Sequence, residues 1–121
     1  MDTFGSMLRE RRKVLRLGLR EFALRAEVDA GNLSKIERGK LNPPQTRDAL
    51  DRICFALEYD PASQEAELLR DRAAAENGRL SEEILADEEI MSRMPVLLRT
   101  VHNKQLSAEQ LDRLIEMIKG S

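Results

Sequence analysis

Between Ala30 and Arg38 the chain sets Asn32, Ser34, Lys35 and Arg38 around two apolar residues, Leu33 and Ile36, spaced three apart. On a helix the two apolar side chains share one face, Gly31, Lys35 and Arg38 lie opposite, and Asn32 and Ser34 flank them. This set suits the base edges of a DNA major groove: an ammonium donates to guanine O6 or N7, a carboxamide pairs bidentately with adenine, and a hydroxyl reaches base or phosphate. Gly31, in the first turn, lets the helix N-terminus come close to DNA, where unsatisfied N–H groups favour phosphate. Lys40 and Asn42 follow in a loop, placed for backbone contacts that fix register but carry little sequence information. A plainly solvated helix face is the competing reading of Lys35 and Arg38, and the surrounding elements favour DNA.

Those elements can be read from caps and spacing. Asp29 is placed to cap the helix expected over Ala30–Arg38, and Gly39 stands just past its last turn, where a left-handed backbone is needed. Ahead of it, Leu19–Ala26 predicts a second short helix, with Ala23 where only a methyl fits between approaching helices. A first helix is expected from about Thr3 to Leu15, with Phe4, Met7, Leu8 and Leu15 inward. After KLNPPQ, whose prolines preclude helix, a fourth helix is expected from about Arg47 to Glu58, capped by Thr46 and carrying the stripe Leu50, Ile53, Cys54 and Leu57.

With Leu8, Leu17, Ala23, Val28, Leu33, Ile36, Glu37 and Gly39 at this spacing, the stretch from roughly Phe4 to Asp60 resembles the XRE family of helix-turn-helix proteins, the phage lambda and 434 repressors and Cro. The resemblance implies an all-α fold: a five-helix lambda-repressor-like domain over residues 1–61, followed by a helical oligomerisation or regulatory region over 62–121. It implies a structural ion pair between Arg12 and Glu37 holding the third helix to the first, and dimers that read palindromes with half-sites about one helical turn apart. Two positions depart from the family pattern. Glu27 stands where the turn usually has Gly, and Gly18-Leu19 stand where Ser or Thr followed by Gln is usual; the first departure predicts a slightly remodelled turn, the second the loss of a phosphate contact.

The net charge of −2 looks wrong for a DNA-binding protein until it is divided along the chain. Up to residue 59 there are 12 Lys and Arg against 9 Asp and Glu; from residue 60 onward there are 8 against 13. The acidic part should face away from phosphate. Only 3% of residues are aromatic and no apolar run could span a bilayer, so the chain reads as helical and cytoplasmic. Cys54, alone, sits on an apolar stripe and reads as core, and His102 has no second ligand beside it for a metal. With no Gly-rich phosphate loop, no ligand cluster and no nucleophile next to a His, neither an enzyme nor a cofactor is expected; Glu88 and Glu89 read as the first turn of a helix capped by Asp87.

Beyond residue 60, Asp60-Pro61 reads as a helix start, leading to a connector helix ended by Gly78. Ser81, Asp87 and Pro95 suggest a run of short helices. Ser107 and Gln110 match a capping box opening a last helix whose Leu111, Leu114, Ile115 and Ile118 form an apolar stripe. That stripe predicts a homodimer interface, unless Val96–Val101 covers it within one chain. The function expected is a sequence-specific transcriptional regulator, a dimeric repressor acting on operator DNA. The alternative is an antitoxin that neutralises a toxin through its C-terminal half. A separate protease or an antirepressor is a further possible partner, with Met94–Val101 as a weak candidate for cleavage.

Overall fold

The structure is a computed structural model and describes residues 2–120. Among them it is all-α: α1 (Phe4–Val14), α2 (Leu19–Ala26), α3 (Ala30–Glu37), α4 (Arg47–Ala56), α5 (Gln64–Glu76), α6 (Glu82–Leu85), α7 (Glu88–Lys104) and α8 (Ala108–Lys119). The chain divides into two compact units, the first ending at Ser81 and the second beginning at Glu82. No helix in the described residues is long and apolar enough to cross a membrane.

In the first unit, caps set the helix starts. Thr3 and Ser6 form a reciprocal capping box at α1, Asp29 accepts the Asn32 N–H at α3, and Thr46 accepts the Ala49 N–H at α4. Each such bond satisfies a donor that the helix itself leaves unpaired. The core they enclose contains Phe4, Leu8, Phe22, Leu33, Ile53, Cys54, Leu57 and Leu69, all fully buried. Burial pushes the Cys54 thiol up from its ordinary pKa, which keeps it protonated and inert.

Helix α5 is part of this core and not a connector. Ala66, Leu69 and Ala73 belong to the buried cluster, and the Glu76 carboxylate accepts the Phe4 N–H at 2.7 Å, at the start of α1. Next to Glu76, Asn77 donates to the Pro43 carbonyl at 3.0 Å. The compact unit therefore runs past the boundary expected at residue 61. Ala-rich stripes carry little apolar area per residue, so the periodicity alone underrates how closely such a helix packs. Its start also differs from expectation. Ser63 is the cap, while Asp60 and Pro61 make a tight turn in which Asp60 accepts the N–H groups of Ala62 and Ser63.

The α2–α3 turn keeps its left-handed residue without glycine. Glu27 stands at φ 56°, ψ 44°, and the Val28 N–H bonds back to the Ala23 carbonyl at 3.0 Å, closing the end of α2. The expected remodelling does not occur. Arg52 on α4 helps hold the turn, donating to the Ala26 carbonyl at 3.3 Å and lying 3.7 Å from the Glu27 carboxylate.

In the second unit Pro95 lies inside α7 instead of breaking it, so the run of short helices expected there is one short helix, α6, and one long one. Proline removes one intrahelical donor and crowds the carbonyl four residues back, and the rest of α7, capped by Asp87, outweighs that local loss. Ser107 and Gln110 form the capping box of α8. None of the residues in α6, α7 or α8 is buried.

Candidate nucleic-acid interface

The candidate site rests on how firmly α3 is held. Leu33 and Ile36 are buried on its inner face, and at its C-terminal end Glu37 meets Arg12 of α1. The pair is bidentate, with Arg12 Nε to Glu37 Oε2 at 2.8 Å and Nη2 to Oε1 at 2.9 Å; Nη1 donates to the Leu17 carbonyl at 3.0 Å. Only 15% of the Arg12 side chain and 6% of the Glu37 side chain remain exposed. The hydrogen bonds from Glu37 raise the Arg12 pKa further above its already high ordinary value, so the guanidinium stays charged.

A second attachment was not apparent from the sequence reading. Gly5, buried in the first turn of α1, lies against the last turn of α3 so closely that a Cβ there would stand 2.2 Å from the Ile36 carbonyl oxygen. Only hydrogen fits. The signal was available: glycine inside a helix costs stability, so its presence one turn before Leu8 points to a close backbone approach.

With its inner face fixed, α3 turns Gly31, Asn32 and Lys35 to solvent. Among the described residues, neither the Asn32 carboxamide nor the Lys35 ammonium has a partner within the chain, whereas Arg25, Arg47 and Arg52 on α2 and α4 are paired with carboxylates. An exposed donor with no internal partner is free to bind something else. Lys40 is brought close to Lys35 through the backbone, its N–H bonding to the Lys35 carbonyl at 2.8 Å, and Gly39, at φ +74°, makes that return possible. Lys40 and Asn42 are both exposed.

Three of the expected site residues are less free. Ser34 is half-buried, and Arg38, although exposed, folds back so that its Nε donates to the Ser34 carbonyl at 3.3 Å. Arg38 must swing off the helix to meet a phosphate. At the other end, the N-terminus of α3 already holds an anion of its own, because Asp29 Oδ2 accepts the Asn32 N–H at 2.9 Å. A Cβ on Gly31 would lie 3.0 Å from that oxygen, so Gly31 leaves room for the cap as well as for any approaching backbone. The phosphate affinity expected of a bare helix N-terminus is therefore reduced here.

The expected dimerisation residues all lie on α8. Leu111 and Leu114 are half-buried, while Ile115 and Ile118 are 49% and 66% exposed. On α7 the Val96–Val101 cluster does not bury the stripe: Leu97 and Leu98 remain more than half exposed. The weak cleavage candidate, Met94–Val101, lies wholly within α7. Comparison of this chain with family models, curated proteins and solved structures finds no match, so the interpretation of these surfaces rests on their own geometry.

Proposed function

We infer that this protein is a sequence-specific DNA-binding transcriptional regulator in which α1–α5 act as a lambda-repressor-like helix-turn-helix domain and α3 enters the major groove. One observation carries this reading. A short helix anchored by Leu33, Ile36, Gly5 and the Arg12–Glu37 pair presents the unpartnered side chains of Asn32 and Lys35 on its solvent face. Rigid placement of a few polar groups is what base readout requires. Lys35 donates to guanine, Asn32 pairs with adenine, and Lys40, Asn42 and Arg38, once released from Ser34, meet the phosphates.

A single unit of this size contacts too few base pairs to select a site in a genome, and the second unit supplies the remedy. It has exposed apolar stripes on α7 and α8 and buries no residue by itself, which suits assembly into a dimer that occupies a palindromic operator as a repressor. The same exposed stripes also suit a protein partner such as a toxin, which would make the chain an antitoxin.

The full chain should bind duplex DNA with an affinity that falls steeply as salt rises, because the cations that meet phosphate displace condensed counterions. Replacing Leu114 and Ile118 together by Glu should give a folded monomer with much weaker operator binding. Affinity that does not change with salt overturns the DNA reading. A wild type that is monomeric at micromolar concentration by sedimentation overturns the dimer.

A further inference from the structure

Helix α7 carries charge in a pattern that specifies how a second copy would meet it. Its apolar residues Ile90, Met91, Met94, Leu97, Leu98 and Val101 fall on one stripe at helical spacing, and none of them is buried. Charged residues border that stripe on both sides. At 100° per residue, Glu88 and Arg99 lie along one border and Glu89 and Lys104 along the other. On each border the acidic residue is near the N-terminus and the basic residue near the C-terminus.

We propose that α7 pairs antiparallel with α7 of a second copy, about a two-fold axis near its midpoint at Pro95 and Val96. The proposal rests on the dimer inferred above and adds its orientation. In an antiparallel pair each border faces its own counterpart reversed, so Glu88 approaches Arg99 of the copy and Glu89 approaches its Lys104. The layers match too, Met91 falling against Val101 and Met94 against Leu98. A parallel pair would set Glu88 against Glu89 at one end and Arg99 against Lys104 at the other, like against like along the whole contact. Antiparallel helices also align opposite ends of their dipoles, and a two-fold axis closes the assembly at two chains. The same end-to-end polarity suits the dipole of α7 alone, so the decisive readout is assembly and not helicity.

Two variants of the full chain test the orientation. E88K/E89K places basic residues at both ends of α7: antiparallel self-pairing is then weakened about tenfold or more in dissociation constant, while parallel pairing is unchanged because one like pair replaces another. The fourfold reversal E88K/E89K/R99E/K104E restores antiparallel self-pairing to near the wild-type level. Mixed with wild type and read by native mass spectrometry, it should form few mixed dimers, since acidic ends would meet acidic ends. Preferential mixed dimers, or random mixing, overturn the orientation, as does E88K/E89K dimerising like wild type. A wild type that is monomeric overturns self-pairing altogether. Neither result depends on DNA, so salt-dependent operator binding can stand or fall separately, and a circular dichroism spectrum matching wild type confirms that each variant is folded.

Discussion

Replacing Glu37 by Leu should destabilise the first unit by about 2–3 kcal/mol, because it strands the Arg12 guanidinium in a site that is largely closed to water. Removing one partner of a buried ion pair costs about 3–5 kcal/mol. Two features of this site lower the figure: 15% of the Arg12 side chain still reaches solvent, and its Nη1 keeps its bond to the Leu17 carbonyl. The loss measures an unpaired cation and not the worth of the intact pair, which in this environment can be small. That distinction is testable. The double variant Arg12→Met/Glu37→Leu removes both charges at similar volume and should recover most of the stability, within about 1 kcal/mol of wild type. Urea unfolding followed by circular dichroism gives both numbers, and the single variant should lower the melting temperature of the unit by roughly 10–20 °C. A single variant within about 0.5 kcal/mol of wild type, or a double variant as unstable as the single, would refute the argument.

Gly5→Ala should destabilise by about 1–3 kcal/mol or more, since the added methyl meets the Ile36 carbonyl and α1 must shift off α3; the same urea titration checks it, and a neutral result would mean that the two helices can separate freely. Glu27→Gly should stabilise by roughly 0.5–1 kcal/mol, because glycine occupies the left-handed conformation without the strain that Glu27 bears; a loss of stability would show that the 3.7 Å approach to Arg52 outweighs the strain. Lys35→Ala and Asn32→Ala should each weaken binding to the specific site by about 1–3 kcal/mol with unfolding unchanged, as competition against non-specific duplex would show.

What the sequence made legible follows from which signals are local. Thr46, Asp29, Asp87 and Ser107 cap the helices they stand in front of, because a side-chain oxygen before a helix has few other partners nearby. The start of α5 was misplaced since Asp60 and Ser63 both carry cap chemistry, and the structure uses one for a turn and the other for the helix. The attachment of α5 to the core depends on long-range contacts, Glu76 to Phe4 and Asn77 to Pro43, that no window of sequence contains. Pro95 misled for a related reason: proline's local cost is set against the whole length of α7, and a single-residue rule does not weigh that. At the candidate site, the outward face of α3 was readable from Leu33 and Ile36 alone. The folding back of Arg38 and the fit of Gly5 against the Ile36 carbonyl required three dimensions.

The central claim, that α3 reads DNA sequence, is tested most directly by selecting duplexes bound by the full chain from a randomised pool and repeating the selection with Lys35→Ala. The account predicts that wild type enriches a palindrome whose half-sites are centred about 10 base pairs apart, and that the variant relaxes the preference at one guanine of each half-site while the remaining positions persist. Enrichment of no sequence at all, or an identical motif from wild type and variant, would contradict it.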